Sequence, residues 1–386
     1  MNNFEYFNPT KIVFGKDTYD QIPAKIKEVT AGNKIMLTYG GGSIKTNGVY
    51  DKVKKSLEGF DIVEFGGIEA NPEFYTLMKA VEQIKANPVD FVLAVGGGSV
   101  IDGTKFIVSA AKYDGNPWDV LTRKEGCKFE YGIPFGTVLT LPATGSEMNS
   151  GAVISNSRLK AKRTMGGLQG FPKFSFLDPT VVKTLPKRQI VNGIVDAYMH
   201  TLEQYLTYPS GNLLQERIAE GILSTLIEVG PQVIENPADY KAASNLMWCA
   251  TMALNGTLRA GVAYDWATHM IGHELTALHG IDHARSLAII APNLYKMKFE
   301  NKKEKLIQYG QRIFGLEGSC GEEAINRTKI FFESLGVKTK LSDYTEDYKA
   351  TPRIIKERFE ERGWEGLGER KDITPSEAEK IVEMSF

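Results

Sequence analysis

Apolar and polar positions in the first half of the chain alternate between two periods. Short apolar runs at KIMLTY (34–39), DIVEF (61–65), DFVLAV (90–95) and FGTVLTL (135–141) have the length and β-branched content of buried strands. Between them lie stretches of helical period. In VYDKVKKSLEGF (49–60), Val49, Val53 and Leu57 fall four apart on one face, and EFYTLMKAVEQIKANP (73–88) reads as a helix stopped by Asn-Pro. This alternation predicts a parallel, doubly wound sheet whose ligands lie beyond the carboxyl ends of its strands. After DPTVVKTLPKRQ (178–189) the pattern changes. VDAYMHTLEQYLTYP (195–209), LLQERIAEGILSTLIEVGPQVI (213–234), YKAASNLMWCATMALNG (240–256) and DWATHMIGHELTALHG (265–280) are long and helical. The expected fold class is therefore α/β plus all-α, with an α/β domain over residues 1–187 and a helical domain over 188–386.

Length and charge agree with that division. The chain has 386 residues, beyond the roughly 250–300 at which single cores stop growing. With 46 Lys+Arg against 47 Asp+Glu, the net charge of −1 offers no global field for nucleic acid or an anionic membrane. Three dispersed cysteines, with no Cys-x-x-Cys pair, suit a reducing compartment. The first residues have no secretory h-region, and no run approaches the roughly 18 apolar residues of a spanning helix. A cytoplasmic protein is expected, with no nucleic-acid or membrane partner.

Two glycine turns carry the first candidate chemistry. Gly40-Gly41-Gly42-Ser43 and Gly96-Gly97-Gly98-Ser99 each close a strand and open a helix. Partly positive N–H groups at such a place bind phosphate, and glycine lets the anion approach. The plain alternative is a tight turn without a ligand, since neither the G-x-G-x-x-G spacing nor a Walker A loop is present. Two turns of this kind at strand ends of one sheet suit a dinucleotide. No acidic residue lies between Thr38 and Gly48, whereas Lys45 does. A ribose-reading carboxylate is thus missing, which favours NADP(H) over NAD(H).

The histidines carry the second. All five lie in the second half, and His269, His273, His279 and His283 fall within fifteen residues. Asp196 and His200 sit four apart on a predicted helix, as do His269 and His273, so each pair shares a face. A single histidine on such a helix is more often a core residue, but a carboxylate with several imidazoles is a mixed O/N donor set for Fe2+ or Zn2+. The zinc-protease H-E-x-x-H motif is absent, because Ala277 stands where its second histidine belongs. Trp266 reads as core, and Lys302-Lys303-Glu304-Lys305 as a solvated helix face.

Over nearly its whole length the chain resembles the iron-containing, metal-dependent (group III) alcohol dehydrogenases, in the branch of butanol dehydrogenases and NADPH-dependent aldehyde reductases. The segments that carry the resemblance are GGGSVIDGTK (96–105), LPATGSEMN (141–149), NGIVDAYMHTLEQY (192–205) and DWATHMIGHELTALHGIDHARSLA (265–288). It implies a Rossmann-like domain, an all-helical domain, and a cleft between them for coenzyme and metal. By matching motifs, the ligands of one divalent metal would be Asp196, His200, His269 and His283. The coenzyme would be held by Gly41, Ser43, Asn71, Gly97, Gly98, Ser99, Asp102, Thr140, Asn149 and Lys162. Relatives that prefer NAD carry Asp near Gly41, where this chain has glycine.

The reaction so implied is hydride transfer between NADP(H) and a small aliphatic aldehyde or primary alcohol, with the metal polarising the carbonyl and His273 passing the proton. A homodimer is expected. Two other activities stay open. A dehydroquinate synthase-like lyase, using NAD and a metal, needs Lys and Arg for a phosphate-bearing substrate, and the helical motifs are short of them. A polyol (glycerol-type) dehydrogenase would use the same metal set.

Overall fold

The computed structural model describes residues 1–386. Six strands form one sheet: β1 (Lys11–Phe14), β2 (Lys34–Tyr39), β3 (Asp61–Phe65), β4 (Phe91–Gly96), β5 (Phe135–Leu139) and β8 (Phe174–Leu177). All pairings are parallel and the spatial order is β1-β8-β5-β4-β2-β3. Every residue of β4, β5 and β8 is buried, which explains their mainly apolar sequences, and the hydroxyls of Thr137 and Ser175 meet each other at 2.7 Å. The connecting helices are α1 (Ile22–Lys27), α2 (Ser43–Thr46), α3 (Val49–Ser56), α4 (Phe74–Ala86), α5 (Gly98–Ala110) and α6 (Pro117–Leu121). A separate antiparallel hairpin joins β6 (Ala152–Asn156) to β7 (Ala161–Met165).

The chain leaves β2 toward β3 on one side and returns to β4 on the other, so the direction of winding reverses between β2 and β4. Crevices at such reversals are where doubly wound sheets bind ligands. Both glycine turns follow the strands that flank this one.

The remainder is helical: α7 (Lys187–Tyr205), α8 (Leu213–Glu235), α9 (Tyr240–Ala253), α10 (Ala267–His279), α11 (His283–Met297), α12 (Phe299–Phe314), α13 (Gly321–Ser334), α14 (Thr351–Glu361) and α15 (Pro375–Glu383). In α7 the residues from Gly193 to Tyr205 are all buried, as a central helix requires. No helix is long and apolar enough to cross a membrane.

Two compact units result. One comprises Phe7–Pro186 with Asn236–Met247, the other Met1–Tyr6, Lys187–Glu235 and Trp248–Phe386. The main change of unit, after Pro186, falls beside the expected 187/188 boundary, but two short segments lie outside a single cut.

Candidate active site

Three helices of one unit supply four converging side chains. Asp196 and His200 lie on α7, His269 on α10, and His283 is the first residue of α11. One donor atom from each lies within 4.8 Å of all the others. The Asp196 carboxylate is 3.6 Å from His200 Nε2 and 3.7 Å from His283 Nε2. Donor atoms at the corners of a tetrahedron with bonds of about 2.1 Å would be about 3.4 Å apart, so small movements would complete a metal shell. The donor set therefore fits a divalent ion of the Zn2+ or Fe2+ kind.

Local sequence explains why residues so far apart meet. Helix α10 stops at Gly280, whose φ of +68° is left-handed and whose N–H bonds Thr276 O. The chain then turns back, and Asp282 secures the turn by accepting from Arg188 Nε (2.7 Å) and Asn192 Nδ2 (2.8 Å). Burial works to raise the Asp282 carboxyl, but these donors prevail and hold it below its ordinary value. At the other end of α10, Asp265 Oδ1 accepts from Ala267 N–H (2.9 Å). Its second oxygen binds Lys302 Nζ (2.8 Å), which also reaches Glu369 and Leu206 O.

That contact corrects the expectation of a solvated face for Lys302 and Lys305, while Lys303 and Glu304 are exposed as expected. Lys302 and Lys305 are each only 3% exposed, and Lys305 lies 2.9 Å from Glu216. Trp266 is half-buried, with its ring stacked on His269 at 4.0 Å and on Tyr264 at 5.1 Å. It is a wall of the histidine cluster as much as a core residue.

Glu203 is a further member of this cluster, one that the sequence reading did not single out. It is fully buried on α7, contacts His269 Nδ1 through one oxygen and accepts from Thr268 N–H (2.7 Å) through the other. With Nδ1 engaged by a carboxylate, Nε2 is the nitrogen of His269 left to act as a ligand. His273 is buried one turn further along α10, its ring 5.0 Å from His283 and 6.3 Å from His269. His279 stands apart, with Nε2 2.8 Å from Thr351 Oγ1. Glu274 binds Arg358 (2.8 Å) and Arg362 (2.6 Å).

The other unit holds the candidate coenzyme residues. Gly97 and Gly98 link β4 to α5. A Cβ at Gly98 would lie 2.4 Å from Thr144 Oγ1, so glycine there serves close packing between two loops. At Gly41 no heavy atom comes within 4 Å of a built Cβ, and both Gly41 and Ser43 are exposed. Space for a ligand is thus a property of the first turn. Beside it Lys45 Nζ lies over the rings of Tyr39 (4.9 Å) and Tyr50 (5.0 Å). At the second turn, Ser99 Oγ accepts from Asn71 N–H (3.3 Å), and Asn71 Oδ1 from Lys162 Nζ (2.9 Å), which reaches in from β7. Thr140 N–H bonds Gly96 O (3.0 Å), holding the end of β5 against that of β4. Asp102 and Asn149 share a network around Lys105.

Residues 9–179 match the sequence family described as iron-containing alcohol dehydrogenase, and residues 190–373 match the C-terminal part of the same family. The chain belongs to the iron-containing alcohol dehydrogenase family. This alcohol dehydrogenase is 49% identical to the NADPH-dependent aldehyde reductase YqhD of Escherichia coli (strain K12), over 99% of each chain. It is 43% identical to the probable NADH-dependent butanol dehydrogenase 1 of Bacillus subtilis (strain 168), over 89% of this chain and 90% of that one. The crystal structure of E. coli K-12 YqhD superposes with a TM-score of 0.95 at 47% identity, covering 100% of this chain and 99% of that one. The NADH-dependent butanol dehydrogenase A of Thermotoga maritima gives 0.94 at 38% identity, covering 100% and 99%. The alcohol dehydrogenase is thus an oxidoreductase, and alcohol oxidation and aldehyde reduction are two directions of one reaction.

Proposed function

We propose that this enzyme reduces small aliphatic aldehydes to primary alcohols with NADPH, using one divalent metal, Fe2+ or Zn2+, held by Asp196, His200, His269 and His283. The observation that carries the reading is the meeting of those four donor atoms within 4.8 Å. When bound there, the ion supplies Lewis acidity for the substrate oxygen. The protein supplies the rest. Glu203 fixes the ring of His269, and Asp282 holds the turn that presents His283. The His283 side chain is 24% exposed, against 2–5% for the other three, which makes it the side from which substrate enters. His273, beside it, delivers the proton to the product oxygen. Gly41, Ser43, Asn71, Gly97, Gly98, Ser99, Asp102, Thr140, Asn149 and Lys162 hold the coenzyme at the reversal of the sheet. Three free thiols suit a cytoplasmic location, and a homodimer belongs to the same reading.

NADPH is preferred because the loop from Gly40 to Gly48 has no carboxylate to accept from a ribose 2′-hydroxyl or repel a 2′-phosphate. The named coenzymes of the relatives are divided, NADPH for the E. coli protein and NADH for the Bacillus one, so the loop is the better guide. The test is metal analysis of protein purified without chelator, followed by aldehydes from ethanal to hexanal and glycerol, each with NADPH or NADH. Bound Fe2+ or Zn2+ and a higher kcat/KM with NADPH are expected. Turnover of glycerol alone would make the enzyme a polyol dehydrogenase, and a higher kcat/KM with NADH would refute the coenzyme choice. The open space at Gly41 allows a sharper check, since Gly41→Asp should lower the NADPH/NADH ratio about tenfold or more.

A further inference from the structure

Lys105 is fully buried in the apolar helix α5, an expensive place for a charge. Its ammonium donates to Ser146 Oγ (2.8 Å), Asn149 Oδ1 (3.0 Å) and Gly151 O (2.7 Å). These three acceptors use all three of its protons, and a neutral amine would have only two to give. Ser146 Oγ–H in turn donates to Asp102 Oδ1 (2.5 Å), while Asp102 Oδ2 accepts from Val153 N–H (2.8 Å). Asn149 is fixed at both ends, its oxygen by Lys105 and Gly151 N–H and its nitrogen on Gly145 O (2.8 Å).

We infer that Lys105 is a positioning residue for the coenzyme: its charge holds the 144–151 loop and presents Asp102 and Asn149 in a fixed arrangement. The inference rests on the proposed coenzyme site. The charged groups facing Lys105 are Asp102 on its own helix and Glu147 on the loop, and Lys162 on β7 acts on Asp102. Burial pulls the Lys105 ammonium down to about 8, the two carboxylates only partly restoring it. Loss of that proton removes one loop hydrogen bond and leaves the carboxylates uncompensated beside a polyanionic ligand. Affinity should therefore be full below that pH and fall above it.

The experiment measures the NADPH dissociation constant of the metal-loaded enzyme by fluorescence from pH about 6.5 to about 9.5, for parent, Lys105→Met and Ser146→Ala. Hydrogen exchange of residues 141–153 is followed in the same proteins without coenzyme. The parent should bind up to about 30-fold more weakly at the alkaline end, one lost proton weakening binding about tenfold per pH unit above its pKa. Lys105→Met should bind weakly at every pH, with KM for NADPH raised more than kcat is lowered, and its loop should exchange faster. Ser146→Ala removes one link without burying a new group, and should show a smaller loss of the same kind. A folded Lys105→Met with parental affinity and parental exchange overturns the inference. Should Lys105→Met fail to fold, unchanged affinity across pH together with parental behaviour of Ser146→Ala overturns it instead. Failure of the parent to bind NADPH at any pH would refute the coenzyme site, and the exchange data would still judge the role of Lys105.

Discussion

Which nitrogen of His269 faces the cluster is decided by Glu203, through a contact that needs no solvent and has none. Carboxylates placed behind ligand histidines typically account for about 10–100-fold in metal affinity. Glu203→Ala should weaken metal binding by that order in a chelator competition, whereas Glu203→Gln, which keeps the shape, should lose less. His273→Ala should do the reverse: metal content stays and single-turnover hydride transfer slows by about 10²–10⁴-fold, or less if water substitutes. If both variants lose metal equally, the division between ligand support and proton transfer is wrong. The sequence held a signal for Glu203, because positions 196, 200 and 203 return to one face of a helix. A glutamate at such a spacing reads equally well as a surface residue, so the spacing alone does not single it out. Lys105 and Lys302 were illegible for a related reason: their acceptors are distant in sequence, and a lysine gives no hint that its amine is enclosed.

Helix α10 presents His269 and His273 to the cluster and is held along its length by α14 and the residue that follows it. Glu274 receives both Arg358 and Arg362, and His279 meets Thr351. The Glu274 carboxylate is buried, so removing it leaves two guanidinium groups facing a void. Breaking such a buried pair costs about 3–5 kcal/mol, and Glu274→Ala should lower Tm visibly even with metal bound. Replacing Glu274, Arg358 and Arg362 together by leucine should recover much of that loss, and calorimetry of both variants checks the pair. Elements built from local periodicity were legible, including β2, β4, α4 and the helices around the histidines. Strands β1 and β8 and the β6–β7 hairpin were not: β1 and β8 have only four residues each and pair with one another far along the chain, and the hairpin strands AVISN and AKRTM mix polar with apolar residues. The hairpin matters to the site, because it brings Lys162 to Asn71.

At the scale of the molecule, all four donor side chains belong to one unit and the glycine turns to the other. Metal binding should therefore stabilise by mass action the unit that contains α7, α10 and α11, at about 4 kcal/mol when free metal exceeds its dissociation constant a thousandfold. Scanning calorimetry with and without chelator should show the transition that includes these helices move down on metal removal. A transition unmoved by chelator would exclude a bound ion from the native state. Two units were legible in the change of pattern after residue 189, but the assignment of residues 236–247 to the sheet unit was not, since the unit changes back within helix α9, between Met247 and Trp248, where the helical pattern runs on.

Strand β1 lies at the edge of the sheet, and its one neighbour is β8, with Lys11 opposite Phe174. On a ribosome the first strand therefore waits for about 160 residues of further synthesis, roughly 8–30 s at ordinary elongation rates. Until β8 emerges, β5 is the open edge of a half-built sheet, a strand whose every residue is buried in the finished one. Nascent chains stalled just before residue 174 should be captured by chaperones and cut by protease far more readily than chains stalled past the ribosomal exit tunnel beyond Leu177. Equal sensitivity at both lengths would mean that the sheet forms only after release. The order in which the gene spells out its strands thus sets a period of risk that the finished enzyme no longer shows.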